Sequence, residues 1–479
     1  MSSPSSAIDL PAPLLAWVEE TCEGRVARAA RHFAGASREA WSLDVDSKHA
    51  EDPPRPLFLL RDRGPGQGSA RDAAVLRALA ETPIPVPRVV AYEPRESLLL
   101  LERLAGRSDF PSVDREAERA PTARHLMELT GRLHELDIDD LEIAHLAIPE
   151  SPEDCARPAI AQARSALTTL GDSADPFFEF ALSWLESNLP TQVSRYSLVH
   201  SDMGPGNFLF EGGRVTGIVD WEVAHYGDPM EDLAAIAVRD MATPVGDLST
   251  RLDEYAQSCA IPVVPARVHY YRALVLVRNS LMIGLGLLDP APGLDVVEMT
   301  MYQTLLMRAA ALVLCDNLGV ARPTRDSALP ALDGEGAGGD RPRQVFLAAL
   351  RRELEDGVVP ALEGGPLERR SASLRAGLAT IEHEARVGAA LDARECEDLA
   401  GLLDRAASSS AHDLRDLESA LRQQLAGPAR SDDLLEQRAC YFARRLHRLA
   451  ERRRPLMGAL YERLPQPLEG RRGPGQEET

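Results

Sequence analysis

His200-Ser201-Asp202-Met203-Gly204-Pro205-Gly206-Asn207, continued through Phe208-Leu209-Phe210, Glu211-Gly212-Gly213 and on to Asp220, is the stretch whose reading decides the fold. Residues 208–210 and 214–219 have strand character, and Glu211-Gly212-Gly213 between them reads as a three-residue hairpin loop. A hairpin returns to where it began. Asn207, before the first strand, and Asp220, after the second, therefore share one end of the ribbon, within reach of one Mg²⁺ held otherwise by nucleotide phosphates. Asp202 precedes Asn207 by five residues across a Gly-Pro-Gly loop, where its carboxylate is placed to accept the proton of an attacking hydroxyl. Asp and Asn also favour ordinary turns. Three of them at this spacing on a strand-turn-strand unit favour the chemical reading.

A His-x-Asp start, Asn five residues later, a hairpin and a second Asp match the catalytic loop and metal-binding Asp of kinase-like folds. The continuation Val219-Asp220-Trp221-Glu222 and Gly227-Asp228-Pro229-Met230-Glu231-Asp232-Leu233-Ala234 resembles the aminoglycoside phosphotransferase and choline kinase superfamily rather than protein kinases, which carry Asp-Phe-Gly. Within it the chain is similar to bacterial phosphotransferase-family proteins and to the kinase domains fused to some acyl-CoA dehydrogenases, which resemble hydroxyacyl-CoA kinases. The resemblance implies an α+β, bilobal, protein-kinase-like fold, with ATP and Mg²⁺ as cofactors and a small-molecule hydroxyl as acceptor. It implies Asp202 as catalytic base, Asn207 and Asp220 as metal ligands, and His200 as a scaffold for the loop. Ser201 stands where these phosphotransferases usually have Gly, so backbone strain is expected there.

Upstream, 25–46 alternates like two strands around a glycine turn, 56–61 is a third strand, 71–81 a helix, and 87–104 two more strands. This resembles a kinase small lobe. Gly35, Ala36 and Ser37 would then cover the ATP phosphates with backbone N–H groups, and the segment from Glu102 to Leu104 would meet the adenine edge. Kinases pair a third-strand Lys with a Glu on the following helix. Here those positions hold Arg61 and Asp72. Asp72, Val75, Leu76 and Leu79 share the inward helix face, a buried carboxylate needs a partner, and Arg61 is the candidate to hold it and to grip phosphate bidentately. Lys48, the one lysine in the chain, is poorly placed to substitute.

The 479 residues carry a net charge of −21, with 44% hydrophobic and 27% charged residues. Such acidity argues against nucleic-acid binding and against attachment to anionic membranes. No stretch approaches an uninterrupted apolar run of about 20 residues, and the N-terminus has no signal core, so a cytoplasmic location is expected. The six dispersed cysteines contain no Cys-x-x-Cys pair and read as reduced packing residues. Pro and Gly crowd into 326–342, which reads as a linker. The expected organisation is an N-lobe over 1–105, a C-lobe over 106–325, the linker, a helical bundle over 343–464 and a disordered tail over 465–479.

Helical periodicity within the bundle falls at 345–359, 367–386, 393–406, 412–425 and 434–452, without catalytic motifs. Its surface is a candidate for self-association or for a partner protein. Acceptor recognition in the resembled superfamily uses large-lobe helices, here 267–288 with Arg272 and Arg278, although packing explains those arginines equally. Two acceptor classes remain open, a hydroxyacyl-CoA-like thioester and an aminoglycoside. A regulatory pseudokinase is the alternative that Arg61 and Asp72, in place of the usual Lys and Glu, bring to mind.

Overall fold

A computed structural model of the chain describes residues 9–32, 38–46, 53–63, 68–110, 116–290, 294–330, 349–352, 354–359, 368–405, 411–426 and 431–468. The expected glycine turn with Gly35, Ala36 and Ser37, the whole of Lys48's turn, most of the 326–342 linker and most of the tail lie outside these residues. The described chain divides into two compact units, 1–155 with 192–263, and 156–191 with 264–479.

The first unit opens with α1 (Ala12–Cys22), which the sequence reading had not anticipated, followed by β1 (Arg25–His32), β2 (Arg38–Asp46), β3 (Arg55–Asp62), α2 (Gly68–Leu79), β4 (Val89–Glu93) and β5 (Leu98–Glu102). The strands form one antiparallel sheet in the order β1-β2-β3-β5-β4. Strand side chains alternate between faces. Trp41, Leu43 and Val45 of β2 and Leu57 and Leu59 of β3 form one core with Leu10, Leu14 and Val18 at α1. Burial of that kind contributes roughly 1.5–3 kcal/mol per large aliphatic side chain. The intervening residues, among them Arg38, Leu60 and Asp62, belong to the opposite face.

The unit continues with α3 (Glu116–Glu135), α4 (Ile138–Leu141), β6 (Ser197–Val199), β7 (Phe208–Glu211), β8 (Arg214–Ile218), β9 (His225–Gly227), α7 (Met230–Arg239) and α8 (Leu248–Ser258). Strands β6 and β9 pair antiparallel, as do β7 and β8. The expected three-residue hairpin loop is in fact a two-residue one. Glu211 pairs with Arg214, and Gly212 and Gly213 take φ of +57° and +79°, the double left-handed conformation of a type I′ turn, for which glycine is suited.

The second unit contains α5 (Arg157–Leu170), α6 (Phe177–Ser187), α9 (Pro265–Leu288), α10 (Val296–Asn317), α11 (Arg325–Ala328), α12 (Glu368–Leu402), α13 (Ala411–Leu425), α14 (Asp432–Arg452) and α15 (Arg454–Met457). Its composition differs from the expected division at 326–342, because α10 packs with the C-terminal helices and α9 packs on α10. Leu305 of α10 forms a cluster with Ala450, Met457 and Tyr461, and Phe442 of α14 stacks on Phe180 of α6 at 5.2 Å. A Gly- and Pro-rich segment marks irregular chain. It does not mark where a core ends. The two helices expected over 367–386 and 393–406 are one continuous helix, since buried Val387 and Leu391 flank Gly388 and their packing outweighs the roughly 1 kcal/mol that glycine costs in a helix.

α9 is long and apolar enough to cross a membrane by length and composition, but 61% of the qualifying window is buried within the protein. His269, Tyr270, Tyr271, Arg272 and Arg278 are interior. Tyr270 donates to the Leu185 carbonyl at 3.1 Å and Arg272 to that of Gln466 at 3.0 Å. Packing accounts for these residues.

Glu395 of α12 sits in the interior, accepting from Arg445 at 2.8 Å, from Arg448 at 2.6 Å and from the Tyr441 hydroxyl. Burial pushes its carboxyl up, but Arg445 and Arg448 outweigh burial and bring it down to about 2. A carboxyl whose folded pKa is depressed stabilises the fold above its unfolded pKa, near 4.5, and loses that contribution as pH falls toward 2. Acid unfolding followed by circular dichroism should therefore begin in that window. Glu395→Gln removes one charge from the network while Arg445 keeps Asp175 and Glu418 and Arg448 keeps Asp398, so it should cost roughly 1–3 kcal/mol at neutral pH; an unchanged melting temperature would contradict this reading of the network.

Candidate active site

The segment between β6 and β7 is fixed from beneath by buried groups of α3 and α7. Asp232, fully buried on α7, accepts the backbone N–H of His200 at 3.0 Å and of Ser201 at 2.7 Å, and also meets His134 Nε2 at 3.1 Å. Ser201 donates its hydroxyl to Glu231 at 2.5 Å. That bond accompanies the left-handed φ of +67° at Ser201, a conformation uncommon for a residue with a side chain. His200 takes the scaffold role expected of it. Its Nε2 lies 2.9 Å from the Val219 carbonyl, its Nδ1 lies 3.3 Å from the Asp202 N–H, and its ring rests 4.6 Å from that of Trp221.

The hairpin brings Asn207 and Asp220 to one end, as the spacing requires, since the Val219 N–H bonds the Asn207 carbonyl at 3.0 Å and Asp220 follows directly. The Asn207 amide N–H₂ reaches both the Asp202 carbonyl oxygen, at 2.9 Å, and its Oδ2, at 2.8 Å. Asp202, Asn207 and Asp220 are thus assembled on one loop and hairpin. Asp220 takes φ +70°. Desolvation raises its pKa first of all, with Arg38 opposing and Asp72 and Asp202 reinforcing the rise. The side chain keeps 40% of its surface exposed, so a cation can reach the carboxylate, and the neighbouring acids favour that cation. With the Asn207 side-chain oxygen the carboxylate makes an oxygen donor pair suited to Mg²⁺. Among the described residues no cluster of three or more His, Cys, Asp or Glu is assembled to hold a metal alone; a cation at Asn207 and Asp220 would take its remaining ligands from phosphate and water.

Arg239, the last residue of α7, escaped the sequence reading. Its Nε donates to Asp202 Oδ1 at 2.9 Å, its Nη2 to Asp202 Oδ2, and its Nη1 to the Pro205 carbonyl at 2.8 Å. The Gly-Pro-Gly loop wraps this side chain: Gly204, at φ +138°, lies so close that a Cβ there would sit 2.9 Å from Arg239 Cδ. The two glycines therefore serve loop geometry and arginine access, and the forked contact aims the Asp202 carboxylate. Only the folded path of α7 reveals this partner, because nothing at 37 residues' separation announces it.

The expected pairing of Arg61 with Asp72 is not what the structure holds. Arg61 shares the face of Leu57 and Leu59, and its Nη2 meets Glu96 at 3.1 Å in an exposed surface pair. One residue along a strand reverses the face. Asp72 instead accepts from Arg38 of β2 and, through Oδ1, from the Trp221 N–H at 2.7 Å. Arg38 is 6% exposed and stands among four carboxylates. Besides Asp72 these are Glu222 at 2.8 Å from Nη2, Asp62 at 3.4 Å from Nε and Asp220 at 3.7 Å from Nη1. Burial alone would lower the Arg38 pKa, but the surrounding acids more than compensate and raise it. Glu222, two residues past Asp220, faces this cation.

Of the expected adenine-facing residues, Glu102 commits its N–H to the Arg88 carbonyl at 2.9 Å, and Arg103 commits its own to Pro56 at 3.0 Å. Leu104 lies over Gly217 of β8, where a Cβ would come within 2.1 Å of Leu104 Cδ1, so the glycine is what lets the segment after β5 lie against the hairpin.

With this geometry in hand, comparison with known proteins is informative. Residues 42–266 match the phosphotransferase enzyme family. Acyl-CoA dehydrogenase family member 11 of Rattus norvegicus is 26% identical over 231 residues, 45% of this chain and 29% of that protein. Viomycin phosphotransferase of Streptomyces vinaceus is 33% identical over 189 residues, 36% of this chain and 62% of that one. The match thus spans less than a third of the dehydrogenase-family relative. Among solved structures, a thermostable mutant of an aminoglycoside phosphotransferase in ternary complex with ADP and hygromycin B aligns with a TM-score of 0.46 at 19% identity, over 62% of this chain and 98% of its own. A choline/ethanolamine kinase family protein from Mesorhizobium loti aligns with a TM-score of 0.44 at 18% identity, over 60% and 87%. The stretch that contains β3, the Asp202 loop, the hairpin and α7 is accordingly a domain of the phosphotransferase enzyme family.

Proposed function

We propose that this chain is an ATP- and Mg²⁺-dependent kinase that transfers the γ-phosphoryl group to a hydroxyl of a small molecule. One observation carries the reading: Asn207 and Asp220 meet at one hairpin end while the Asp202 carboxylate, aimed by Arg239, is tied to Asn207. Asp202 accepts the hydroxyl proton as the oxygen attacks. Asn207 and Asp220 would hold a divalent cation, which when bound would supply charge neutralisation for phosphoryl transfer. Arg239, beside the base, adds a fixed positive charge on the same side.

For the acceptor we favour a hydroxyacyl-CoA-like thioester over an aminoglycoside. The support is the similarity to acyl-CoA dehydrogenase family members of several animals, set against the similarity to an antibiotic phosphotransferase. The pseudokinase alternative now turns on whether Arg38, the buried partner of Asp72, serves phosphate in place of a cation on β3.

Titration with ADP at increasing Mg²⁺ tests the metal assignment. Asp220→Ala should weaken ADP binding in the presence of Mg²⁺ and flatten its Mg²⁺ dependence, while adenosine, which carries no phosphate for the metal to bridge, binds as before. An Mg²⁺ dependence identical to that of the unmodified protein would remove Asp220 from the metal site.

A further inference from the structure

We infer that Arg38 of β2, rather than any residue of β3, is the cation that grips the nucleotide phosphates, with Asp72 and Asp62 as its positioning residues. The inference rests on the kinase reading above and concerns which strand supplies the charge.

The guanidinium is more than nine-tenths buried, yet among the described residues Nε and Nη2 find no well-aligned hydrogen-bond acceptor. Asp62 and Glu222 stand beside those two nitrogens without meeting the geometry of a bond. Nη1 is engaged by Asp72. A buried donor left without an aligned acceptor costs about 1–3 kcal/mol, so two such N–H groups on a planar fork define a place for an acceptor with matching geometry. Phosphate oxygens supply that geometry. The direction of the fork also fits. Arg38 lies 3.7 Å from Asp220, the proposed metal ligand, so a phosphate held there would lie between two positive groups, the guanidinium and a bound cation, and that cation would offset the carboxylates around them.

Asp72 ties the arrangement together by binding Arg38 through one oxygen and the N–H of Trp221, next to Asp220, through the other. Asp62 has a second fixed task, accepting the hydroxyl of Ser69 at 2.6 Å and its N–H at 3.2 Å at the start of α2. Helix α2, β2 and the end of β8 are thereby locked around one guanidinium. Arg61 cannot share this role, because it sits on the α1 side of the sheet, 37% exposed and paired with Glu96.

The test measures ADP and adenosine affinities, with Mg²⁺ present, for the full chain and for Arg38→Met, Arg38→Lys and Arg61→Met, together with melting temperatures. Loss of charge-assisted phosphate bonds at Arg38→Met should weaken ADP roughly 10–100-fold and leave adenosine unchanged. Arg61→Met should alter neither. Arg38→Lys keeps the charge but not the fork, so its ADP-to-adenosine preference should fall while the protein stays folded; this variant carries the test if Arg38→Met does not fold. Equal losses of ADP and adenosine, or an undiminished ADP preference in Arg38→Lys and Arg38→Met, would reduce Arg38 to a structural strut and overturn the inference while the kinase reading stands. Failure of the unmodified protein to bind either nucleotide would overturn both.

Discussion

Asp202→Asn is expected to lower phosphoryl transfer by about 10²–10⁴-fold, the usual contribution of a positioned general base, while leaving the melting temperature and ADP affinity close to those of the unmodified protein. The amide is isosteric but keeps one acceptor oxygen, so it gives up one of the two Arg239 bonds and retains the shape of the site. It cannot take the hydroxyl proton. The Arg239 contact is only partly buried, so its weakening costs at most about 1 kcal/mol. Single-turnover rates with a responsive acceptor check the first part and calorimetry the second. A variant that turns over at an undiminished rate would exclude Asp202 as the base.

Asp232→Ala should produce the largest loss of stability of any single change near the site. Its carboxylate is fully buried and serves two backbone N–H groups of the catalytic loop and His134. Removing it leaves all three buried and unsatisfied, for a cost of roughly 3–5 kcal/mol and a fall in melting temperature on the order of 10 °C. Activity should fall as well, because His200 and Ser201 fix where Asp202 stands. Thermal melts report the first effect. If the variant melts with the unmodified protein, the loop is held by something other than Asp232.

The catalytic loop was legible because its information is local. A strand-turn-strand pattern fixes Asn207 and Asp220 relative to each other through three or four residues on either side, and no distant contact can undo that. The Arg61 expectation failed for a reason equally physical. Leu57 and Leu59 already announced the alternation that puts Arg61 with them, but which face of β3 looks toward α2 depends on what covers the other face. That cover is α1, whose Leu14 and Val18 were not read as helix. With one face unassigned, family habit placed the cation on β3 although the pleat had put it on β2. Arg239 and Asp232 differ again, being about 30 residues beyond the loop they serve, and only the return of α7 beneath β6 brings them there. The division of the C-terminal half was hidden for a further reason, since helical periodicity shows that a face is apolar without showing which helix it meets.

The central claim, that the Asp202, Asn207 and Asp220 constellation transfers phosphate to a hydroxyl, is tested most directly by following label from γ-phosphate-labelled ATP into a panel of hydroxyacyl-CoA thioesters and aminoglycosides, with and without Mg²⁺. The account predicts labelled product from at least one hydroxylated acceptor, dependent on Mg²⁺ and nearly abolished in Asp202→Asn. Label transfer that survives both Mg²⁺ removal and the Asp202→Asn change would contradict it.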